Sequence, residues 1–138
     1  MKIEIERKNQ AYHMMAANEE SNTISIDGSP EIGGKGKGMR PMQLLLSGIG
    51  SCSAIDVISI LKKQKQDLRD IKITVNGDRE EGAIPAVFTK IHLHFHLFGD
   101  LDESKVQRAI KLSMDQYCSV SKMLEKTAEI TYDYKITA

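Results

Sequence analysis

The sequence has no excess of charge of either sign, no tryptophan and few aromatic residues. Its 138 residues include 19 basic and 19 acidic side chains, so the formal net charge is zero. Nucleic-acid binding needs a surplus of Lys and Arg against the phosphates, and aromatic side chains that stack on bases. Because the charge is balanced and only 5% of the residues are aromatic, the composition argues against a nucleic-acid partner.

Cysteine is also scarce, since two cysteines in a chain of this length are too few for a disulfide framework. The first ten residues, MKIEIERKNQ, lack the apolar core of a secretory signal. We therefore expect a cytoplasmic protein whose thiols are reduced. The length matches a single domain, residues 1–138, and 41% hydrophobic residues are enough for a core without disulfides or metal.

One apolar stretch, Met42–Leu61, has the length of a membrane span and contains no Lys or Arg. It also contains Gln43, four serines and Asp56. An Asp in the middle of a span costs about 2.5–3.5 kcal/mol on insertion scales. We therefore expect a buried helix and no membrane partner.

Hydrophobic periodicity predicts an α+β fold. Alternation of apolar and polar residues predicts strands at residues 2–6, 11–16 and 22–26, followed by a glycine-rich loop, Gly28–Gly38. Proline is favoured at the first position of a helix, so the long helix is predicted to begin at Pro41 and to end near Lys65. Because this helix is apolar all round, it is predicted to be enclosed on nearly every side.

The second half of the chain predicts three further strands, at residues 71–76, 86–98 and 130–136. Asp102 is predicted to cap a helix from Glu103 to Tyr117, and Ser119 or Ser121 to cap a short last helix. This order of elements indicates antiparallel sheets packed against a central helix.

The two cysteines differ in their predicted surroundings. Cys52 lies within the long helix, where Asp56, four residues later, shares its face and opposes thiolate formation. Cys118 lies at the start of the last helix, where the helix dipole is expected to lower its pKa. Spacing alone leaves two alternatives: a redox pair, or two buried cysteines that act as small hydrophobic side chains.

The glycine-rich segment GSPEIGGKGKGMR matches neither the P-loop pattern nor the dinucleotide-binding fingerprint. We interpret it as a flexible basic loop in which Lys35, Lys37 and Arg40 offer positive charge to an anionic ligand.

Three histidines, His92, His94 and His96, lie on one face of a predicted strand, and alternate imidazoles on a strand can share a metal ion. No Asp or Glu lies between them, and the only other histidine is His13. We therefore predict a polar outer face, with no metal and no cofactor.

Two segments resemble a known family. GMRPMQLLLSGIGSCSAIDVISILKK resembles the central helix of the OsmC/Ohr family, the osmotically inducible and organic hydroperoxide resistance proteins. YCSVSKMLEK resembles the second cysteine motif of that family. The two motifs occur in the family's order, with their cysteines 66 positions apart, and the resemblance covers nearly the whole chain.

The resemblance implies an OsmC-like intertwined homodimer, with antiparallel sheets wrapped around paired central helices. It also implies a thiol peroxidase that reduces organic hydroperoxides. Cys52 would be the nucleophile that attacks the hydroperoxide and Cys118 the resolving thiol, with an external dithiol as reductant.

The chain departs from the family pattern at two positions. Active members carry a Glu ten residues before the first cysteine, where this chain has Met42, and an Arg in an early loop, where this chain has NEESN. Arg40 is a candidate substitute, but twelve residues of helix span about 18 Å. Arg40 can therefore reach Cys52 only from a partner subunit. The alternative function is a non-catalytic protein that binds a small hydrophobic or acyl ligand in the interface pocket, which Met42 makes more apolar.

Overall fold

The computed structural model describes all 138 residues. Six strands and three α-helices pack as two compact units, Met1–Leu45 and Leu46–Ala138. The mixed content of helices and sheets confirms the predicted α+β class. That the two units belong to a single domain, residues 1–138, stays a prediction.

The first unit contains a three-stranded antiparallel sheet. Its strands are β1 (Glu4–Arg7), β2 (Met14–Ala17) and β3 (Thr23–Ile26), and they pair in this order. These are the three strands that the alternation of residues predicted. The strand β2 is shorter than predicted and begins at Met14 instead of residue 11.

The glycine-rich loop after β3 is organised by a buried carboxylate. Asp27 is 1% exposed and accepts hydrogen bonds from the backbone N–H groups of Gly28, Lys35 and Lys37. The bond from Lys37 is the main cause that lowers the pKa of Asp27. A side chain at Gly34 would collide with the carbonyl of Gly28. The loop therefore has a fixed internal structure that the prediction of a flexible loop did not include.

The long helix α1 (Pro41–Lys63) begins at Pro41, as predicted. The side chain of Gln43 accepts a hydrogen bond from the N–H of Arg40 and so caps the first turn. Ile49, Ser53, Val57 and Leu61 recur every four residues and are fully buried. Ser53 satisfies its hydroxyl by donating to the carbonyl of Ile49 at 2.6 Å.

The opposite face of α1 is uncovered in the single chain. Ile55 is 64% exposed and Ile58 is 41% exposed. A single chain therefore leaves one face of the helix open, and its enclosure on nearly every side, which needs a second copy, stays a prediction. This helix is long and apolar enough to cross a membrane, with a mean hydropathy of 1.9 over its most apolar window. Length and composition are weak evidence for a span, because core helices pass the same test.

The second unit contains the sheet β4 (Asp67–Arg79), β5 (Phe88–Asp100) and β6 (Glu129–Thr137), paired in that order. The pair β4–β5 is antiparallel, whereas β5–β6 is parallel. The prediction of purely antiparallel sheets is therefore wrong in this sheet. The strand β4 is also longer than the predicted residues 71–76, because it begins at Asp67 and ends at Arg79. One face of β5 forms the core through four fully buried residues: Ile91, Leu93, Phe95 and Leu97.

Two helices and a π-helical turn lie between β5 and β6. The helix α2 (Glu103–Leu112) is capped by Asp102, whose carboxylate accepts a hydrogen bond from the N–H of Lys105, as predicted. The predicted continuation to Tyr117 is instead a π-helical turn, Ser113–Tyr117. The short helix α3 (Ser119–Leu124) follows at once.

Candidate thiol site

The second unit brings both cysteines and one carboxylate together. Cys52 and Asp56 lie one turn apart on α1, and Cys118 lies between the π-helical turn and α3. The two sulfur atoms and a carboxylate oxygen of Asp56 all lie within 4.8 Å of one another. The two cysteines that were predicted to form a redox pair therefore lie side by side. Asp56, which was predicted to share the face of Cys52, lies beside them.

Cys118 caps the helix that follows it. Its Sγ accepts a hydrogen bond from the backbone N–H of Ser121 at 3.3 Å. The N-cap is therefore Cys118, and the prediction that Ser119 or Ser121 caps this helix is wrong. The sulfur replaces the side-chain oxygen that Ser, Thr, Asp or Asn usually supplies at this position.

Burial sets the acidity of Cys118. The residue is 1% exposed, and burial raises the pKa of its thiol to about 11. The hydrogen bond from Ser121 lowers that pKa, while the neighbouring Cys52 and Asp56 raise it further. The expectation that the helix dipole lowers the pKa of this thiol is therefore wrong, because desolvation of the charged form outweighs it.

Ser113 connects the carboxylate to the second cysteine. Its hydroxyl donates a hydrogen bond to Asp56 Oδ2 at 2.9 Å, and its carbonyl accepts one from the N–H of Cys118 at 2.8 Å. Sequence analysis missed this residue, because the 3.6-residue period predicts an ordinary α-helix here. Turns of the π type are often found at functional sites.

The two glycines of α1 allow close packing within the second unit. A Cβ at Gly50 would lie 2.9 Å from a methyl group of Val75 on β4. A Cβ at Gly48 would lie 3.7 Å from Val120 on α3. Within the second unit, the neighbours of these glycines are thus branched aliphatic side chains on β4 and α3.

A groove leads to the carboxylate of the cluster. It has a volume of about 520 Å³ and is lined by the following residues: Asp56, Ser59, Ile60, Lys63, Gln64, Leu112 and Tyr117. The Oε1 atom of Gln64 is buried without a hydrogen-bond partner. A small molecule in this groove would meet the apolar side chains of Ile60 and Leu112 and the carboxylate of Asp56.

The third predicted site residue, Arg40, lies one position before α1 and is exposed. Its backbone N–H is bonded to Gln43 at 2.9 Å. Because the role predicted for its side chain depends on a second subunit, that role stays a prediction. Met42, in the first turn of α1, stands where the family pattern has Glu.

The histidine strand has an acidic neighbour that the sequence did not reveal. The parallel pairing places His94 opposite Asp133 of β6. The distance from His94 Nδ1 to Asp133 Oδ1 is 2.6 Å, and from His92 Nε2 to the same oxygen it is 3.4 Å. The hydrogen bond from His94 lowers the pKa of Asp133. The reason given for expecting no metal here, that no Asp or Glu lies between the histidines in the sequence, did not include this acidic neighbour on β6. The absence of a metal on this face stays a prediction.

In this α+β fold, one thiol on the long helix and a second thiol beside it at the start of α3 are the arrangement that the family resemblance implied. A family model described as OsmC-like protein matches residues 34–133. The chain is 47% identical over 103 residues to the protein YhfA of Escherichia coli K12, covering 74% of this chain and 76% of YhfA. The chain belongs to the OsmC-like protein family.

Solved structures agree with this assignment. A hypothetical protein from Aquifex aeolicus VF5 has 33% identity and a TM-score of 0.81, covering 99% of this chain and 97% of that one. A protein from Legionella pneumophila, described as an organic hydroperoxide resistance protein OsmC and predicted redox protein, has 15% identity and a TM-score of 0.72. That match covers 98% of this chain and 97% of the other, and at this identity it supports the fold alone.

Proposed function

We propose that the protein is a thiol-dependent peroxidase that reduces organic hydroperoxides in the cytoplasm through Cys52 and Cys118. The observation that carries this proposal is the proximity of the two sulfur atoms, which lie within 4.8 Å of each other. A disulfide requires the two Cβ atoms at about 3.5–4.5 Å. Sulfur atoms this close make a disulfide possible without large movement of the helices.

The reaction has three balanced steps. The thiolate of Cys52 attacks one oxygen of the hydroperoxide and the O–O bond breaks, so that Cys52 becomes a sulfenic acid. The leaving alkoxide takes up the proton that the thiol had lost and becomes an alcohol. The thiolate of Cys118 then attacks the sulfur of Cys52, the S–O bond breaks as the S–S bond forms, and the hydroxide leaves as water with the proton that Cys118 had lost. An external dithiol reduces the disulfide, becomes oxidised itself and restores both thiols.

The exposures favour Cys52 as the first nucleophile. Cys52 is half-buried, whereas Cys118 is 1% exposed and its pKa is raised to about 11. A thiol must be reachable and ionised to attack a peroxide. Cys118 meets neither condition at neutral pH, which suits a residue that acts only after Cys52 has been oxidised beside it.

The protein is further proposed to act as a homodimer. In α1, Ile55 and Ile58 lie three residues apart and are exposed in the single chain. Only 28% of the most apolar window of this helix is buried. A second copy that covers this face would remove the exposed apolar surface from water. Sedimentation should give a dimer at micromolar concentration, and a stable folded 15.4 kDa monomer would contradict this proposal.

The peroxidase proposal is tested by anaerobic titration of the reduced protein with cumene hydroperoxide and, separately, with hydrogen peroxide. Organic hydroperoxide should consume two thiols per chain and give an intramolecular disulfide, seen as the loss of two hydrogens in the intact mass. Cys118→Ser should leave a trappable sulfenic acid at Cys52, and Cys52→Ser should abolish turnover. Survival of both thiols in excess organic hydroperoxide would rule the proposal out.

Arg40 is proposed to supply positive charge to the thiol of Cys52 across the dimer. Arg40→Ala should therefore slow the first oxidation step. The matched control is Lys37→Ala, which removes an exposed positive charge three residues earlier in the same loop. If Cys52 is oxidised at the same rate in both variants, Arg40 does not act at the thiol site.

A second candidate function is the binding of a small hydrophobic or acyl ligand without turnover. The groove beside Asp56 favours it, because Ile60 and Leu112 offer apolar contacts there. Ile60→Asp would then abolish the binding of a fluorescent fatty acid while both thiols stay reduced. If the same protein consumes organic hydroperoxide, its function is that of a peroxidase and not ligand binding without turnover.

A further inference from the structure

The thiol site contains three potential metal ligands, which is unusual for a site whose only role is the oxidation and reduction of thiols. Two sulfur atoms and one carboxylate oxygen converge, and Asp56 makes no ion pair with the residues of the second unit. Its partner is the neutral hydroxyl of Ser113. A carboxylate beside two thiols opposes the formation of thiolate, which the peroxidase reaction needs. The same three groups, once deprotonated, are ligands that a divalent cation binds.

The spacing of the three atoms is close to that around a tetrahedral ion. Bonds of about 2.3 Å to sulfur and about 2.0–2.2 Å to oxygen place neighbouring ligand atoms roughly 3.5–3.8 Å apart. The three atoms already lie within 4.8 Å of one another, so a small contraction brings them onto one ion. Cys52 and Asp56 share a face of α1, which fixes two of the three ligands on one rigid element.

The surrounding hydrogen bonds orient the ligands. The hydroxyl of Ser113 holds one carboxylate oxygen of Asp56, and the N–H of Ser121 holds the sulfur of Cys118. Such outer partners position metal ligands and affect metal affinity. Asp56 also lines the groove, so the carboxylate side of the cluster faces a space that can hold water or another small ligand.

We propose that Cys52, Asp56 and Cys118 form a binding site for a thiophilic divalent cation of the zinc type, with an open fourth position. This proposal opposes the sequence prediction of no metal, which considered only the histidine strand. While the cation is bound, both thiolates are ligands and are withdrawn from oxidation. Formation of the disulfide removes both ligands and releases the cation, so metal and peroxide compete for the same two sulfur atoms.

The test uses the reduced full-length protein without oxygen and does not depend on peroxidase activity. Titration with Co²⁺ should produce thiolate-to-cobalt charge-transfer absorption that saturates at one ion per chain. Zn²⁺ should displace the cobalt and abolish the absorption. Because cysteine binds such a cation as the thiolate, binding should release protons, measured with a pH indicator.

Substitutions of single residues test which side chains bind the ion. Cys52→Ser and Cys118→Ser should abolish the charge-transfer absorption, and Asp56→Asn should weaken Zn²⁺ binding by more than tenfold against a chromophoric chelator. Ser113→Ala should weaken it by roughly 10–100-fold, as expected for an outer partner. The matched control is His94→Ala, which removes a ligand from the rival histidine face and should leave binding unchanged. Circular dichroism should confirm that each variant is folded.

Two results would overturn the proposal. One is the absence of cobalt or zinc binding by the reduced wild-type protein at stoichiometric concentration. The other is binding that survives Asp56→Asn and is lost in His94→Ala, since the ion would then lie on the outer face of β5. Neither result affects the peroxidase proposal, which the hydroperoxide titration tests separately.

Discussion

The raised pKa of Cys118 predicts that disulfide formation depends steeply on pH. Only the thiolate attacks the oxidised sulfur of Cys52. With a pKa of about 11, the thiolate fraction of Cys118 is about 10⁻⁴ at pH 7 and about 10⁻² at pH 9. The rate of ring closure should therefore rise roughly a hundredfold over these two pH units.

The cause of the shift persists after the first oxidation step. Conversion of Cys52 to sulfenic acid removes the hydrogen bond and charge of its thiol, but the largest cause, the burial of Cys118, stays. Asp56 also stays and is a smaller cause of the same sign. Asp56→Asn should therefore speed disulfide formation at pH 7. The increase in rate should be smaller than the increase expected between pH 7 and pH 9.

The assay mixes reduced protein with one equivalent of cumene hydroperoxide at several pH values and quenches with a sulfenic acid trap. Intact mass then separates the trapped sulfenic form from the disulfide. In Cys118→Ser the trapped form should accumulate at every pH, because no resolving thiol exists. An independent measurement starts from a chromophoric mixed disulfide at Cys52 and follows release of the chromophore. Equal closure rates at pH 7 and pH 9 in both measurements would refute the reasoning.

Three further predictions concern packing, assembly and pH. A Cβ at Gly77 would lie 2.7 Å from the ring of Phe88, so Gly77→Ala should lower the free energy of unfolding by about 1–3 kcal/mol in urea titrations, and an unchanged midpoint would contradict this packing. Ile55→Glu should convert the dimer to monomer in sedimentation, whereas Lys62→Glu, on the exposed end of the same helix, should not. The pKa of Asp133 is lowered in the folded protein, so its contribution to stability is present above the ordinary Asp pKa of about 4 and is lost as pH falls through the folded value. Thermal unfolding of Asp133→Asn should therefore differ from wild type near pH 5 and match it at strongly acidic pH.

The elements that could be predicted from the sequence are those with local causes. The start of α1 follows from the fixed backbone of Pro41, and the start of α2 from the carboxylate of Asp102. The strand β6 follows from strict alternation of apolar and polar residues. Each of these signals lies within a few residues of the feature that it predicts.

The features that sequence analysis missed depend on contacts between distant parts of the chain. Parallel pairing of β5 with β6 brings Asp133 to His94, although the two residues are 39 positions apart. The pKa of Cys118 depends on burial under other elements, which outweighs the local helix dipole. The two cysteines were recognised as candidates and Asp56 only as a neighbour of Cys52. Ser113 was not recognised, because its contact with Asp56 spans 57 positions.

The π-helical turn at Ser113–Tyr117 has a consequence for the register of the chain. An α-helix advances about 100° per residue, so one residue more or fewer in this turn would change, by an angle of that order, the direction in which the chain leaves the axis of α2. The buried residues of α2, Val106, Ala109 and Ile110, precede the turn and keep their places whatever its length. Deletion of a single residue between Ser113 and Tyr117 would thus swing the sulfur of Cys118 away from Cys52 while both cysteines and the core of α2 remain. The five-residue length of this turn therefore determines the direction in which the sulfur of Cys118 points relative to Cys52.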